Sequence, residues 1–260
     1  MTALHALLLG LIQGITELLP ISSSGHLVLA EKFFAVGIPA DLLSFDVMLH
    51  AGSLLALLIC YPLTWWRVLS SPFTKDPVYL KLLLFLIISA VPAAVAGVFL
   101  ENAIVEVTRS PLFVASGFIF TGIILIAAER MPERRTSASL WLRDVLLIGV
   151  AQACALPPGI SRSGLTVSAG RALGLTRTAA VDFSFLMAVP VIGGAALLTG
   201  AELMRGTVGL PSVSATLIGV LASFGSSILA ILFFRRLVRK RSTAWFALYL
   251  IPLGLILLAV

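Results

Sequence analysis

The sequence predicts an all-α integral membrane protein: an inverted-topology repeat of six transmembrane helices plus two re-entrant helix hairpins, forming a single membrane domain over residues 1–260. Three observations predict it. First, 59% of the residues are hydrophobic, only 12% are charged, and the mean hydropathy is +1.09. Too few polar groups exist to cover a soluble globule, so lipid must solvate most of the surface. Second, the segment Gln13–Leu27 (QGITELLPISSSGHL) resembles Gln152–Thr166 (QACALPPGISRSGLT). A shift of 139 positions carries Gly10 onto Gly149, Gln13 onto Gln152, Ile21 onto Ile160, Ser22 onto Ser161, Ser24 onto Ser163, Gly25 onto Gly164 and Val28 onto Val167. Third, the basic residues fall mostly on one face of the membrane under this topology.

The elements follow in order. Leu4 to Leu18 and Gly25 to Phe34 flank the first polar motif, and each is shorter than the roughly 20 residues a crossing needs, so they read as a hairpin that enters and leaves by one face. Spans follow at Leu42 to Trp65, Val78 to Leu100 and Leu112 to Ala128. The second copy repeats the plan, with short limbs Leu140 to Leu156 and Gly164 to Leu173 and spans Ala179 to Thr199, Ser212 to Phe234 and Ala244 to Val260. The repeats are residues 1–130 and 140–260. One hairpin plus three spans per repeat is an odd number of crossings, which inverts the second copy. Non-helical backbone at membrane depth survives only where protein or a wet cavity surrounds it, so both motifs belong at an internal cavity.

Charge agrees with this arrangement. Fourteen of the eighteen basic residues fall on the face holding the 130–143 and 235–241 loops; the other face receives Lys32, Arg109 and Arg205, and Arg162 lies in the second motif. The positive-inside bias places those two loops in the cytoplasm and both termini outside. The start of the chain lacks a basic leader, so the first helix is expected in the mature protein. A net charge of +6 and a pI near 9.9 do not indicate nucleic acid, because the basic residues are scattered and no aromatic side chains interleave them. Cys60 and Cys154 lie in predicted membrane segments and form no metal-like cluster. Trp65, Trp66, Trp141 and Trp245 read as interface anchors, and His5 as interfacial.

The chemistry concentrates in the two motifs. Gln13 and Glu17 are four apart and share a helix face. Burying the Glu17 carboxylate in a membrane costs about 2.5 to 3.5 kcal/mol, which calls for a partner such as a divalent metal or Arg162. Ser22, Ser23, Ser24, Gly25 and His26 follow Pro20 and open a half-helix whose free N–H groups suit an anion. His26 can act as base or acid near neutral pH on a neighbouring hydroxyl or water. In the mate, Pro157 to Thr166, Arg162 offers a permanent cation with bidentate donors, Gly159 permits the turn, and Ser161, Ser163 and Thr166 add hydroxyls. A structural pairing of Arg162 with Glu17 in an inert core is the bland alternative. Asp46 and His50 share a helix face, and Asp182 lies in the second copy; these three read equally as cavity lining or as structural groups.

With these residues in place, the chain resembles the bacterial undecaprenyl-diphosphate phosphatase family, also called the bacitracin-resistance family. The [E/Q]xxxE motif stands here as Gln13 to Glu17 followed by LLPISSSGHL, and PGxSRSxxT is complete as Pro158 to Thr166; with FDVMLHAGSLLA and DFSFLMAVP the likeness covers essentially the whole chain. The resemblance implies hydrolysis of undecaprenyl diphosphate to undecaprenyl phosphate and inorganic phosphate, a divalent cation such as Mg²⁺ or Ca²⁺, and a place in the bacterial cytoplasmic membrane with the pocket open outward. Carried onto this chain, it implies that Glu17 handles metal or phosphate, Ser23 is the nucleophile, His26 its acid or base, and Arg162 the diphosphate clamp. Gln13, Ser22, Ser24, Gly25, Gly159, Ser161, Ser163 and Thr166 would bind substrate. Gln13 replaces a second carboxylate, so a side-chain metal site would have only one. Attack by water with Ser23 positioning it stays open, and so does a homodimer. A transporter or flippase using the same inverted-repeat site is the rival, since broken helices at the midplane also serve alternating access. An acid-phosphatase-like lipid phosphatase fits less well, because its Lys-rich first motif and final His–Asp are missing.

Overall fold

The computed structural model describes residues 1–34, 40–108 and 110–259, so that Arg109 and Val260 lie outside the described residues. Proline and serine, more than hydropathy, decide where its helices stop. Helix α1 (Ala3–Leu18) is capped by Thr2 Oγ1, which accepts from His5 N at 3.2 Å. It ends because Pro20 disfavours helical backbone at the residue before it, and Leu19 is extended at φ −76°, ψ 150°. Helix α2 (Ser23–Phe33) begins after Ser22, whose Oγ accepts from Gly25 N at 3.3 Å.

Helix α3 (Ala40–Cys60) stops at Tyr61, and α4 (Pro62–Thr74) opens with proline at its first position. The stretch expected as one span, Leu42 to Trp65, is therefore divided, because Pro62 has no N–H to continue α3 and is suited to starting a new helix. Helices α5 (Pro77–Thr108) and α6 (Pro111–Glu129) complete the first half. After a 3₁₀ turn at Ser137–Ser139 come α7 (Leu142–Ala153) and α8 (Arg162–Ala172), then α9 (Arg177–Arg205) and α10 (Val213–Val238), a second 3₁₀ turn at Thr243–Phe246, and α11 (Ala247–Ala259). Among the described residues there is no sheet, only an isolated bridge between Arg135 and Leu175. Five helical stretches are long and apolar enough to cross a membrane; the last apolar segment, Thr243–Ala259, is shorter than these.

Packing sets the two short helix pairs among the long helices. Helix α1 lies along α10, and α10 along α3; α7 lies along α5, while α8 sits among α6, α7 and α9. The α1–α10 approach is close enough to need glycine: a Cβ at Gly14 would fall 2.0 Å from Ser226 Oγ and 2.2 Å from the Ser223 carbonyl. Phe118, Phe183, Phe185 and Phe234 fill the centre, and Trp65 is buried with them, whereas Trp66, Trp141 and Trp245 are exposed as interface anchors would be. Cys154 is exposed and Cys60 half-buried. Arg171 is buried and staples the 130–140 segment to α8, donating to the Leu175 and Met131 carbonyls at 2.6 Å each.

Candidate active site

The two polar turns meet. Ser163 Oγ donates to the Leu19 carbonyl at 2.7 Å, across 144 positions of sequence, and a Cβ at Gly25 would sit 3.0 Å from Gly159 Cα. Gly159 takes φ +94°, and a Cβ there would meet the Val114 carbonyl oxygen at 2.6 Å, so the second turn needs glycine both for its backbone conformation and for its approach to α6. Ser22 adopts φ 69° without being glycine, which is backbone strain at the first turn. The Ser161 amide donates to Thr121 Oγ1 at 3.1 Å and fixes the second turn on α6, while Ser161 Oγ caps α8 by accepting from Gly164 N at 3.0 Å.

Beside the turns lies a cavity of about 230 Å³ whose polar wall includes Glu17, Ser22, Ser23, Ser24, His50, Gln152, Ser161 and Arg162. Glu17 is its hub. Its Oε1 accepts from Arg162 Nη2; its Oε2 accepts from Ser23 Oγ and, at 3.0 Å, from Gln13 Nε2, and His50 Nε2 stands 3.3 Å away. Residues from α1, α2, α3 and α8 thus converge on one carboxylate. An ionised group buried this deeply persists only with such partners.

Of the residues expected from sequence, Glu17, Ser22, Ser23, Ser24, Ser161 and Arg162 line the cavity. Gln13 reaches it through Glu17. Gly25, Gly159 and Ser163 join the two turns rather than facing the space. Thr166 Oγ1 turns to α9, 2.7 Å from Ser184 Oγ, and donates back toward the Arg162 and Ser163 carbonyls. His26 is not brought to Ser23: its Nδ1 lies 2.7 Å from the Ser22 carbonyl and its Nε2 2.7 Å from Tyr249 Oη, with the ring stacked on Tyr249 and tilted against Phe118. Asp182 belongs elsewhere, accepting from Tyr61 Oη at 2.6 Å beside Arg235. Sequence reasoning left His50 undecided and did not single out Tyr249. The four-residue spacing of Asp46 and His50 was the available signal for the first; nothing local marks the second.

A resident metal does not fit these side chains. Both Glu17 oxygens are engaged, Gln13 supplies an amide where a second carboxylate would be needed, and among the described residues no three His, Cys, Asp or Glu side chains cluster to hold an ion.

The family profile described as bacitracin resistance protein BacA matches residues 6–256. The chain belongs to this family. Its relatives include a protein from Trichlorobacter lovleyi named undecaprenyl-diphosphatase, 38% identical over 262 residues that cover 98% of this chain and 96% of that one. A protein of the same name from Moorella thermoacetica is 39% identical over 269 residues, covering 100% of this chain and 98% of its own. The relative named undecaprenyl-diphosphatase 1 from Shouchella clausii is 37% identical over 262 residues, covering 96% and 93%. Membership of the family, together with five helices apolar enough to span, makes this a multi-pass membrane protein.

Proposed function

We propose that this chain hydrolyses undecaprenyl diphosphate to undecaprenyl phosphate and inorganic phosphate, returning the lipid carrier to cell-wall synthesis. The observation that carries the reading is one carboxylate, Glu17, in contact with Ser23 from the first turn and Arg162 from the second in the wall of a single cavity. The relatives carry undecaprenyl-diphosphatase as their name.

In this reading the head group enters the cavity and the prenyl tail lies among the apolar helices. Arg162 holds phosphate oxygens through its paired donors, and the Ser22, Ser24 and Ser161 hydroxyls orient them. The Ser23 hydroxyl proton passes to Glu17 Oε2 while Ser23 Oγ bonds to the terminal phosphorus. The bridging P–O bond breaks, and its electron pair leaves on undecaprenyl phosphate. Water then adds to the phosphorus of the Ser23 ester, Oγ departs and recovers the proton held by Glu17, and inorganic phosphate carries away the protons of the water. Direct attack by a water that Ser23 orients uses the same groups. His26 acts here as a brace for the Ser22 turn, and the acid–base work falls to Glu17. A divalent cation such as Mg²⁺ or Ca²⁺ is assigned to the diphosphate of the substrate, with no step depending on it.

We also propose that α1–α2 and α7–α8 are re-entrant hairpins, each followed by three crossings, in inverted repeats 1–130 and 140–260 of a bacterial cytoplasmic membrane protein with both termini outside. The meeting of the two turns through Ser163 and Leu19 supports it.

Phosphate release from undecaprenyl diphosphate by the purified protein, with and without chelator, tests the activity. Release by wild type and its loss in Arg162→Ala is the expected result. Binding without release would overturn the hydrolase reading in favour of transport.

A further inference from the structure

His50 is the imidazole that faces the cavity, and its contacts orient it. Nδ1 lies 2.7 Å from the Asp46 backbone carbonyl, an oxygen that can only accept, so Nδ1 carries a hydrogen. Nε2 is the nitrogen turned to the site, 3.3 Å from Glu17 Oε2, an ion-pair contact that the ring makes as an imidazolium. The charged side chains lining the cavity are then two cations, Arg162 and His50, against the one carboxylate of Glu17. Two cationic side chains thus reach the cavity, in a site where α5 and α9 contribute only the apolar Ala93, Val191, Ile192 and Ala195. Asp46 gives His50 its backbone carbonyl, and its carboxylate bears on the same ring from outside the cavity lining. Arg162 and His50, converging beside two serine-bearing helix starts, make a seat for an anion of more than one negative charge.

We propose that His50 is a substrate-binding residue of this site: with Arg162 it pairs with Glu17 while no anion is present, and it turns its Nε2–H to a phosphate oxygen when the diphosphate enters. Once Arg162 and His50 are shared with phosphate, Glu17 Oε2 is left with Gln13 and with the Ser23 hydroxyl whose proton it takes. The inference rests on the hydrolase reading of the same site and adds to it a second cation, from the first repeat, opposite Arg162 from the second.

The test compares phosphate release from undecaprenyl diphosphate by wild type, His50→Ala and His50→Gln. Loss of a charge-assisted contact is expected to raise KM in His50→Ala by about tenfold or more, and His50→Gln, whose amide can still donate, recovers part of it. A KM within about twofold of wild type in both variants overturns the proposal. Should the variants fail to fold, the wild-type protein answers alone: methylenediphosphonate, a non-hydrolysable diphosphate, is expected to shift the ring nitrogen resonances of His50 in protein labelled with nitrogen-15 histidine, with His5 as the unshifted control. Absence of a shift overturns it. Normal phosphate release with neither a shift nor a KM change defeats this inference and spares the hydrolase reading; a shift without any phosphate release by wild type defeats the hydrolase reading alone.

Discussion

Ser23 Oγ donates to Glu17 Oε2, so the hydroxyl and the carboxylate beside it arrive on the two limbs of one hairpin and are held together by the turn at Pro20 to Ser22. The contact is local in sequence, six positions apart, and spans the turn in which Ser22 takes φ 69°. Removing either partner removes the proton path. Ser23→Ala and Glu17→Gln are each expected to lower kcat by about 10²- to 10⁴-fold. Glu17→Gln also leaves Arg162 and His50 without their counter-charge and is expected to lower the melting temperature in detergent, which Ser23→Ala does not. Steady-state phosphate release alongside thermal unfolding separates the two effects.

Gly159→Ala is expected to destabilise the protein by about 1–3 kcal/mol, since its φ of +94° strains any β-carbon and the new methyl meets the Val114 carbonyl. Because this turn carries Ser161 and Arg162, activity falls with stability. Gly206→Ala at φ 70° has open space around it and costs only its backbone strain, about 1 kcal/mol. Detergent unfolding curves of the two variants check the contrast.

Tyr249→Phe removes the hydroxyl that holds His26 Nε2, while leaving the ring stack in place. One hydrogen bond of about 1 kcal/mol is lost. With His26 bracing the Ser22 turn, kcat is expected to fall by less than about tenfold with KM unchanged, and His26→Ala to cost more because the Ser22 carbonyl loses its side-chain donor and keeps only the His26 backbone N–H. Equal losses in the two variants would contradict this assignment. Parallel kinetics on both proteins provide the comparison.

The inverted topology proposed above would put Thr207 and Ser137, both exposed, on opposite sides. In a background lacking Cys60 and Cys154, an impermeant maleimide is expected to label Thr207→Cys in intact cells. Ser137→Cys is expected to react only after permeabilisation. Labelling of both in intact cells would rule the arrangement out.

Much of the fold was readable along the chain. Hydropathy located the long helices near Val78 to Leu100, Leu112 to Ala128, Ala179 to Thr199 and Ser212 to Phe234, because lipid selects for uninterrupted apolar length. The shift of 139 positions located both polar turns, because Ser, Gly and Pro in an apolar chain have few other reasons to recur at matched positions. Pro62 dividing α3 from α4 was visible but outweighed by the apolar run around it.

By itself, then, the sequence determined that the chain is a helical membrane protein with two serine-bearing turns, and it pointed to Glu17, Ser23, His26 and Arg162 as the candidate groups for chemistry on a phosphate. Only the tertiary structure decided which of them touch: Arg162 reaches Glu17 across 145 positions, and His26 is claimed by Tyr249 across 223, leaving His50 as the imidazole in the cavity wall. The reason is directional. A helix apolar on every side carries no periodic signal of which face is inward, so where His26 or His50 points is fixed by helices that meet only after folding.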